Sequence, residues 1–480
     1  MITKEILTPT SRVNMGYATV DITPPVGIYN RMWGAAKYDT AIGIHMPLRA
    51  DAIYLSDLKN AKNSFLRIQL DLVYLDDGIR ENLIQVVAEK LKIGKKQILV
   101  TSSHTHAAGM WCPDRFNLPG GDILKDYLSG ITDLILPACE KAFANIRPVE
   151  INYSQGWCDM VADRDSWDEN FGGRVCGFNP GVVSDKTVSV GRVTTDGKLY
   201  AIFVNYACHA TTLAFENRLI SPDYIGPMRK TVEEITNVPC IFFQGASGNL
   251  GPKYGFVGGT KIAEKNGRWL GYSALSALEG IAPPGEDYIY RGPVISGATL
   301  GVWDFAPMKD EHIKKSMIFE GGMYEVGLPR RAIGTEAELK AECLDWEEKS
   351  KQAEEAGQSK DAIDYRARAE RARRWVTTVK MLPEKGNIPY YYSVYRLGDA
   401  FWITVNGEPY SKLQTEIRKL FPDYSFFISG LEGQTFINYL LEEESYGKGL
   451  YQEEPAVLAK GCLEIVIEKI SEKINELIMR

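Results

Sequence analysis

His104 and His106, in SSHTHAAGMW, lie where the strand-like run QILVT gives way to small residues and glycine. Residues i and i+2 of a strand share a face, so this spacing lets two imidazoles converge on one metal ion or one substrate group. The chain has five histidines, and His209, in YAIFVNYACHATTL, also ends a strongly apolar run. Three further apolar runs end in polar loops: CIFFQGAS before Gly248-Asn249, FWITVNG before Glu408, and FFISG before the loop to Tyr439. Ligand sites in open α/β sheets lie outside the carboxyl ends of strands, so these residues can meet in one crevice. Two histidines and a glutamate make a donor set suited to catalytic zinc with one position open to water. The alternative is three unrelated polar residues, one of them a hydrogen-bonded core histidine.

The elements that must position these side chains alternate. Up to about Asp304, runs such as DAIYL, SFLRIQLDLVYL, SVGRV and LYAIFVNYA interleave with helical stretches at Ile79–Leu91, Ile123–Ile146 and Gly226–Ile235. That rhythm predicts an α/β layered fold. A charged segment from Thr335 to Lys380 breaks it and reads as two helices joined near Gly357. It is either a solvated hairpin or a lid or subunit arm. Two more strands follow, SVYRLGDAFWITVNG and YSFFISG, and Pro455–Met479 has helical periodicity. No repeat or low-complexity linker intervenes, so residues 1–480 read as one large multilayer domain with residues 335–380 inserted as a helical hairpin.

Composition narrows the partners. An apolar fraction of 45% and a charged fraction of 24% are those of a globular chain, not a disordered one. A formal charge of −7 and the lack of a Lys/Arg tract leave no footprint for nucleic acid. No apolar run reaches membrane-spanning length and the N-terminus lacks a signal-peptide pattern, which predicts no membrane insertion and a cytoplasmic location. The eight cysteines are scattered without a CxxC pair and read as packed thiols. Of the two remaining histidines, His312 in KDEHIKK reads as a surface residue, and His45 as a wall of the crevice or a structural donor.

The ordered motifs GYATVDITPPVG, SSHTHAAG, NYACHATTL with ISPDYIGPM, FFQGASGNLGPKY, VNGEP and NYLLEEESYGKGLYQEE resemble the neutral/alkaline ceramidases, through their large N-terminal catalytic domain. The resemblance implies a mixed-sheet catalytic domain and zinc bound by His104, His209, Glu408 and Tyr439. It implies a second tyrosine, Tyr451, near the substrate carbonyl, and substrate contacts from His106 and from Arg164 in VADRDSW. One departure matters: the serine implicated in amide cleavage in that family is matched here by Gly251, within Gly248-Asn249-Leu250-Gly251-Pro252. Ser247 does not stand in a G-x-S-x-G setting and is no replacement.

The expected function is therefore a zinc-dependent hydrolase of a small-molecule substrate using metal-activated water, with His106, Asp223, Tyr451 or Arg164 moving protons or stabilising charge. Asp223 equally reads as the cap of the helix that follows. Three classes remain open: an N-acyl amide hydrolase that is not a true ceramidase, a hydrolase of a glycosidic or lactone bond in a soluble carbohydrate, and a non-catalytic zinc-binding relative. The carbohydrate class draws on Trp111, Trp157, Trp167 and Trp303 as sugar platforms, against their alternative as core residues. A homo-oligomer through the charged hairpin is also open.

Overall fold

The structure, a computed structural model, describes residues 4–480. Eight strands form the larger sheet: β1 Thr10–Asp21, β2 Arg49–Ser56, β3 Ser64–Leu70, β4 Ile98–Ser102, β5 Arg147–Trp157, β6 Thr187–Thr195, β7 Lys198–Tyr206 and β8 Cys240–Gln244. Their order is β8-β7-β6-β5-β1-β2-β3-β4, antiparallel through the middle and parallel in the two edge pairs, β7 with β8 and β3 with β4. A second sheet holds β9 Phe319–Leu328, β10 Ile388–Leu397, β11 Ala400–Val405 and β12 Ser425–Ser429 in that order, with β11 and β12 parallel. Each parallel pair needs a crossover, which frees the strand ends to carry loops.

The two sheets stack face to face. Val13, Leu55, Phe203 and Phe243 of the larger sheet meet Leu397, Trp402 and Phe427 of the smaller one in a single fully buried cluster. Each large side chain so buried contributes about 2 kcal/mol. Helices cover the outer faces. Helix α1 Asp77–Leu91 and α2 Gly121–Ala144 lie on one half of the larger sheet, and α3 Ile225–Thr236 and α4 Thr260–Glu279 on the other. The smaller sheet is covered by α7 Lys412–Leu420 and α8 Cys462–Met479. The result is a four-layer helix–sheet–sheet–helix arrangement, the multilayer mixed α/β fold expected from the sequence. Asn205 of β7 ties the sheets together, its amide donating to the Phe243 and Ile428 carbonyls while its oxygen accepts the Ile428 N–H.

The charged segment forms two helices, α5 Glu336–Glu355 and α6 Ser359–Met381, joined through Gly357 at φ +73°. Thr335 starts α5 with a reciprocal capping pair to Glu338. The pair is not free in solvent. Glu370 bonds the buried Arg31 at 3.2 Å, Arg366 bonds Asp39 at 3.2 Å, the Thr377 hydroxyl donates to Asp114 at 2.8 Å, and Trp375 donates to Glu454 at 3.1 Å. Few apolar side chains are buried between this pair and the sheets, so charge and hydrogen bonding dock it.

His312 departs from the surface position expected for it. It is 5% exposed, with Nδ1 2.9 Å from Asp287 and Nε2 2.8 Å from Asp399, and the same two carboxylates accept the Thr8 and Thr10 amide N–H groups. Neighbouring charges in sequence hid a long-range pairing. Its hydrogen bond to Asp399 raises its pKa from 6.5 against the opposing effect of burial, with Asp287 adding to the rise. A raised folded-state pKa means the stabilisation is complete below about 6.5 and is lost as pH climbs through the folded value. His312→Gln is expected to lower unfolding free energy by about 3 kcal/mol at pH 6 and by clearly less at pH 9. Urea titrations of both proteins at the two pH values check this; an equal loss at both would contradict it.

Candidate metal centre

His104 follows β4, its backbone in the left-handed region at φ +62° and its amide N–H donating to the Leu72 carbonyl. A histidine there is strained, a cost tolerated where geometry is fixed by function. His106 sits on a short helical turn, His106–Ala108. The two imidazoles therefore converge through a turn and not through the pleat of a strand, which had been the expected reason. Their Nε2 atoms are 3.2 Å apart. His209 follows β7 and is fully buried.

Second hydrogen bonds orient the rings. His104 Nδ1 donates to the Val73 carbonyl at 2.8 Å and His209 Nδ1 to the Ser247 carbonyl at 2.7 Å, leaving each Nε2 as a lone-pair acceptor. Glu408 Oε2 lies 2.9 Å from His209 Nε2 and 3.3 Å from His104 Nε2. Burial, and after it the Arg164 charge, pushes His209 down to about 4, and burial with the other two imidazoles pushes His106 well below its usual range. With each Nδ1 hydrogen given to a backbone carbonyl, the two Nε2 lone pairs face the Glu408 carboxylate. A cation satisfies that set, and the donor chemistry fits zinc.

Local backbone brings the other two expected ligands together. Glu408 and Tyr439 are direct partners in a short parallel pair, and the Glu408 N–H donates to the Asn438 carbonyl at 2.7 Å. Gly407, at φ +67°, makes this approach possible, because a Cβ there would sit 2.4 Å from that carbonyl oxygen. The Tyr439 hydroxyl is 3.5 Å from His209 Nε2 and accepts from Arg164 Nη2 at 3.1 Å. Arg164 is itself anchored on the Gly248 carbonyl at 2.7 Å. Tyr451 lies with its ring 6.1 Å from that of Tyr439.

Asp223 is elsewhere. It is fully buried, its oxygens accept the Leu213 and Tyr224 N–H groups, and burial pushes it up to about 6. It pins the loop before α3 and is not in the cavity wall. His45 is likewise outside the wall, held by Ser221 at 2.8 Å. The Cys208 thiol, its pKa pushed far up by burial, donates toward the His209 carbonyl and not to an imidazole.

A cavity of about 240 Å³ opens on the centre. Its wall includes His104, His106, Glu408, Tyr439 and Tyr451, and α6 closes one side with Arg371, Arg374, Trp375 and Met381. None of the four tryptophans singled out in the sequence lines it, and Trp111 is core. Trp375 does, and Trp33 packs on the His106 ring at 5.3 Å. Neither carries a local sequence signal beyond its aromaticity.

The position matched to the family serine has room for one. A Cβ on Gly251 would lie 3.6 Å from Arg164 Cδ and 3.9 Å from Thr211 Oγ1, a buried hydroxyl without a partner. Asn249 is structural: its amide donates to Asp163 at 3.0 Å while its oxygen accepts the Ser411 N–H at 2.9 Å. An aspartate there would set two carboxylates against each other.

The comparisons agree with this architecture. Residues 13–245 match the family model described as neutral/alkaline non-lysosomal ceramidase, N-terminal. Neutral ceramidase of Mycobacterium tuberculosis strain H37Rv is 25% identical over 223 residues, 45% of this chain and 34% of that protein, so the aligned stretch spans about a third of the relative. Among solved structures, a ceramidase complexed with C2 superposes with a TM-score of 0.63 at 14% identity, over 98% of this chain and 76% of that one. The neutral ceramidase from Pseudomonas aeruginosa superposes with a TM-score of 0.62 at 15% identity, over 97% and 74%. At these identities the superpositions speak for the fold. Gly251→Ser is expected to fold and to change stability by no more than about 1 kcal/mol, because the added Cβ meets only ordinary contacts of 3.6 to 3.9 Å and a waiting hydroxyl. Thermal unfolding of the purified variant measures this, and a collapse of the transition would show the site to be tighter than described.

Proposed function

We propose that this chain, whose residues 13–245 match the neutral/alkaline ceramidase family, is a zinc-dependent hydrolase of a compact N-acyl substrate and not of ceramide. The observation that carries the reading is the convergence of His104 Nε2, His209 Nε2 and Glu408 Oε2 on one point at 2.9 to 3.3 Å beside a closed-in cavity. His104, His209, Glu408 and Tyr439 would hold the metal. What zinc supplies when bound is a lowered pKa for the attacking water and polarisation of the scissile carbonyl.

The chain's own residues do the rest. Arg164 fixes the Tyr439 oxygen by donating to it, which keeps that ring aligned with the cluster. His106 holds a ring nitrogen at the edge of the cluster, 3.2 Å from His104 Nε2, within reach of a proton released there. Tyr451 presents a hydroxyl from the cavity wall to developing negative charge. No side-chain nucleophile is needed. Ser247 Oγ accepts from Gln244 at 2.8 Å, and the nearby His209 Nδ1 is committed as a donor, so no base is free to activate that serine. Gly251, at the position matched to the family serine, offers no hydroxyl, and this argues against ceramide as the substrate.

Protein purified without added metal is expected to contain about one zinc per chain by elemental analysis, and His104→Ala and His209→Ala to lose most of it. The same preparation is expected to release no appreciable fatty acid from short-chain ceramide. Unchanged metal content in both variants, or efficient ceramide hydrolysis, would falsify the reading.

A further inference from the structure

The cavity beside the metal centre contains positive charge that the hydrolytic steps leave unused. Arg115, at the end of the turn Pro113–Arg115, is 3% exposed and forms part of the wall. Its Nε and Nη1 have no hydrogen-bond partner, and Nη2 meets the Met110 sulfur at 3.4 Å. Among the described residues no carboxylate lies within 4.0 Å of this guanidinium. Glu370, which pairs with Arg31, acts on it only from beyond that distance, and a buried guanidinium that keeps its proton with two N–H groups unpartnered favours an incoming anion. Across the cavity Arg374 of α6 stands near Tyr451, also without an ion-pair partner among the described residues.

The carboxylates of the wall are already engaged. Asp76 caps α1 through the Gly78 and Ile79 N–H groups, Asp114 accepts the Thr377 hydroxyl, and Glu454 holds Arg371 at 3.2 Å together with the Trp375 indole. Glu408 belongs to the metal centre. The wall of this cavity of about 240 Å³ therefore carries two guanidiniums with no carboxylate within 4.0 Å, Arg115 buried on the core and Arg374 exposed on the inserted helix.

We propose that Arg115 and Arg374 form an anion subsite, so that the substrate is a small compound bearing an oxyanion group, a carboxylate, sulfate or phosphate, away from the scissile bond. The planar donors of arginine suit the paired oxygens of such a group. The inserted hairpin is thereby a specificity element: it carries Arg374 to the cavity. Ceramide, which has no charge, cannot compensate the pair and would leave Arg115 buried without an ion. The proposal deepens the hydrolytic reading and rests on it for the reaction, while the binding of the anion stands on the arginines.

Isothermal titration calorimetry on the full chain, zinc-loaded and metal-stripped, with inorganic phosphate, sulfate and acetate at constant ionic strength in chloride, tests the subsite. At least one oxyanion is expected to bind in both states, and the tightest of the three identifies the group. Arg115→Met and Arg374→Gln should each weaken it by about tenfold or more, and Arg115→Lys by less. Arg374 is exposed, so its variant folds even where a change at Arg115 does not. Absence of binding by all three anions, or unchanged affinity in the Arg374→Gln variant, overturns the proposal. Binding that persists in a chain found to hold no zinc supports the subsite while counting against the metal reading alone.

Discussion

Acceptor lone pairs that face one another with no hydrogen between them repel, and the fold has to hold them there. In this chain the Val73 and Ser247 carbonyls fix His104 and His209 so that both Nε2 atoms face the Glu408 carboxylate. The backbone contributes too: His104 is held in a left-handed conformation, and Gly407 allows the strand bearing Glu408 to close on the one bearing Tyr439. Strain of this kind costs about 1–3 kcal/mol per residue and persists because the surrounding structure over-determines it. The two stacked sheets supply that rigidity, with all three parallel strand pairs carrying loops toward the same centre.

The second helix of the hairpin forms one wall of the cavity beside this centre. The hairpin contributes little to the core between the sheets, yet its second helix closes the cavity and is tied down at Arg31, Asp39, Asp114 and Glu454. Exposed ion pairs of this sort stabilise weakly, about 0–1 kcal/mol each, so the hairpin is held by their number and by the buried Arg31. A wall attached by polar contacts can vary in sequence without disturbing the sheets. That separates the conditions for folding from those for choosing a substrate.

Local pattern carried the elements well and their long-range arrangement poorly. Strand runs ending near His104, His209 and Glu408 were legible because apolar alternation is local, as was the hairpin around Gly357. The stacking of two sheets was not, since it depends on which distant strands share a face. The HTH spacing pointed to the right neighbours for the wrong reason, because a left-handed residue and a helical turn replaced the expected pleat. His312 looked like a surface residue among charges, and only the tertiary fold brings Asp287 and Asp399 to it. Asp223 had two readings, and the structure places it in backbone hydrogen bonds outside the cavity. Arg115 had no signal at all: an unpaired buried charge is a property of its surroundings.

The central claim is that one cation is shared by two imidazoles, a carboxylate and a phenol oxygen. Anomalous diffraction from crystals of protein purified without added metal, recorded on both sides of the zinc absorption edge, addresses it directly. The account predicts a single edge-dependent peak about 2.0–2.2 Å from His104 Nε2, His209 Nε2 and a Glu408 oxygen, with the Tyr439 oxygen completing the set. A centre with no such peak, or a zinc ion bound without His104 and His209, would contradict it.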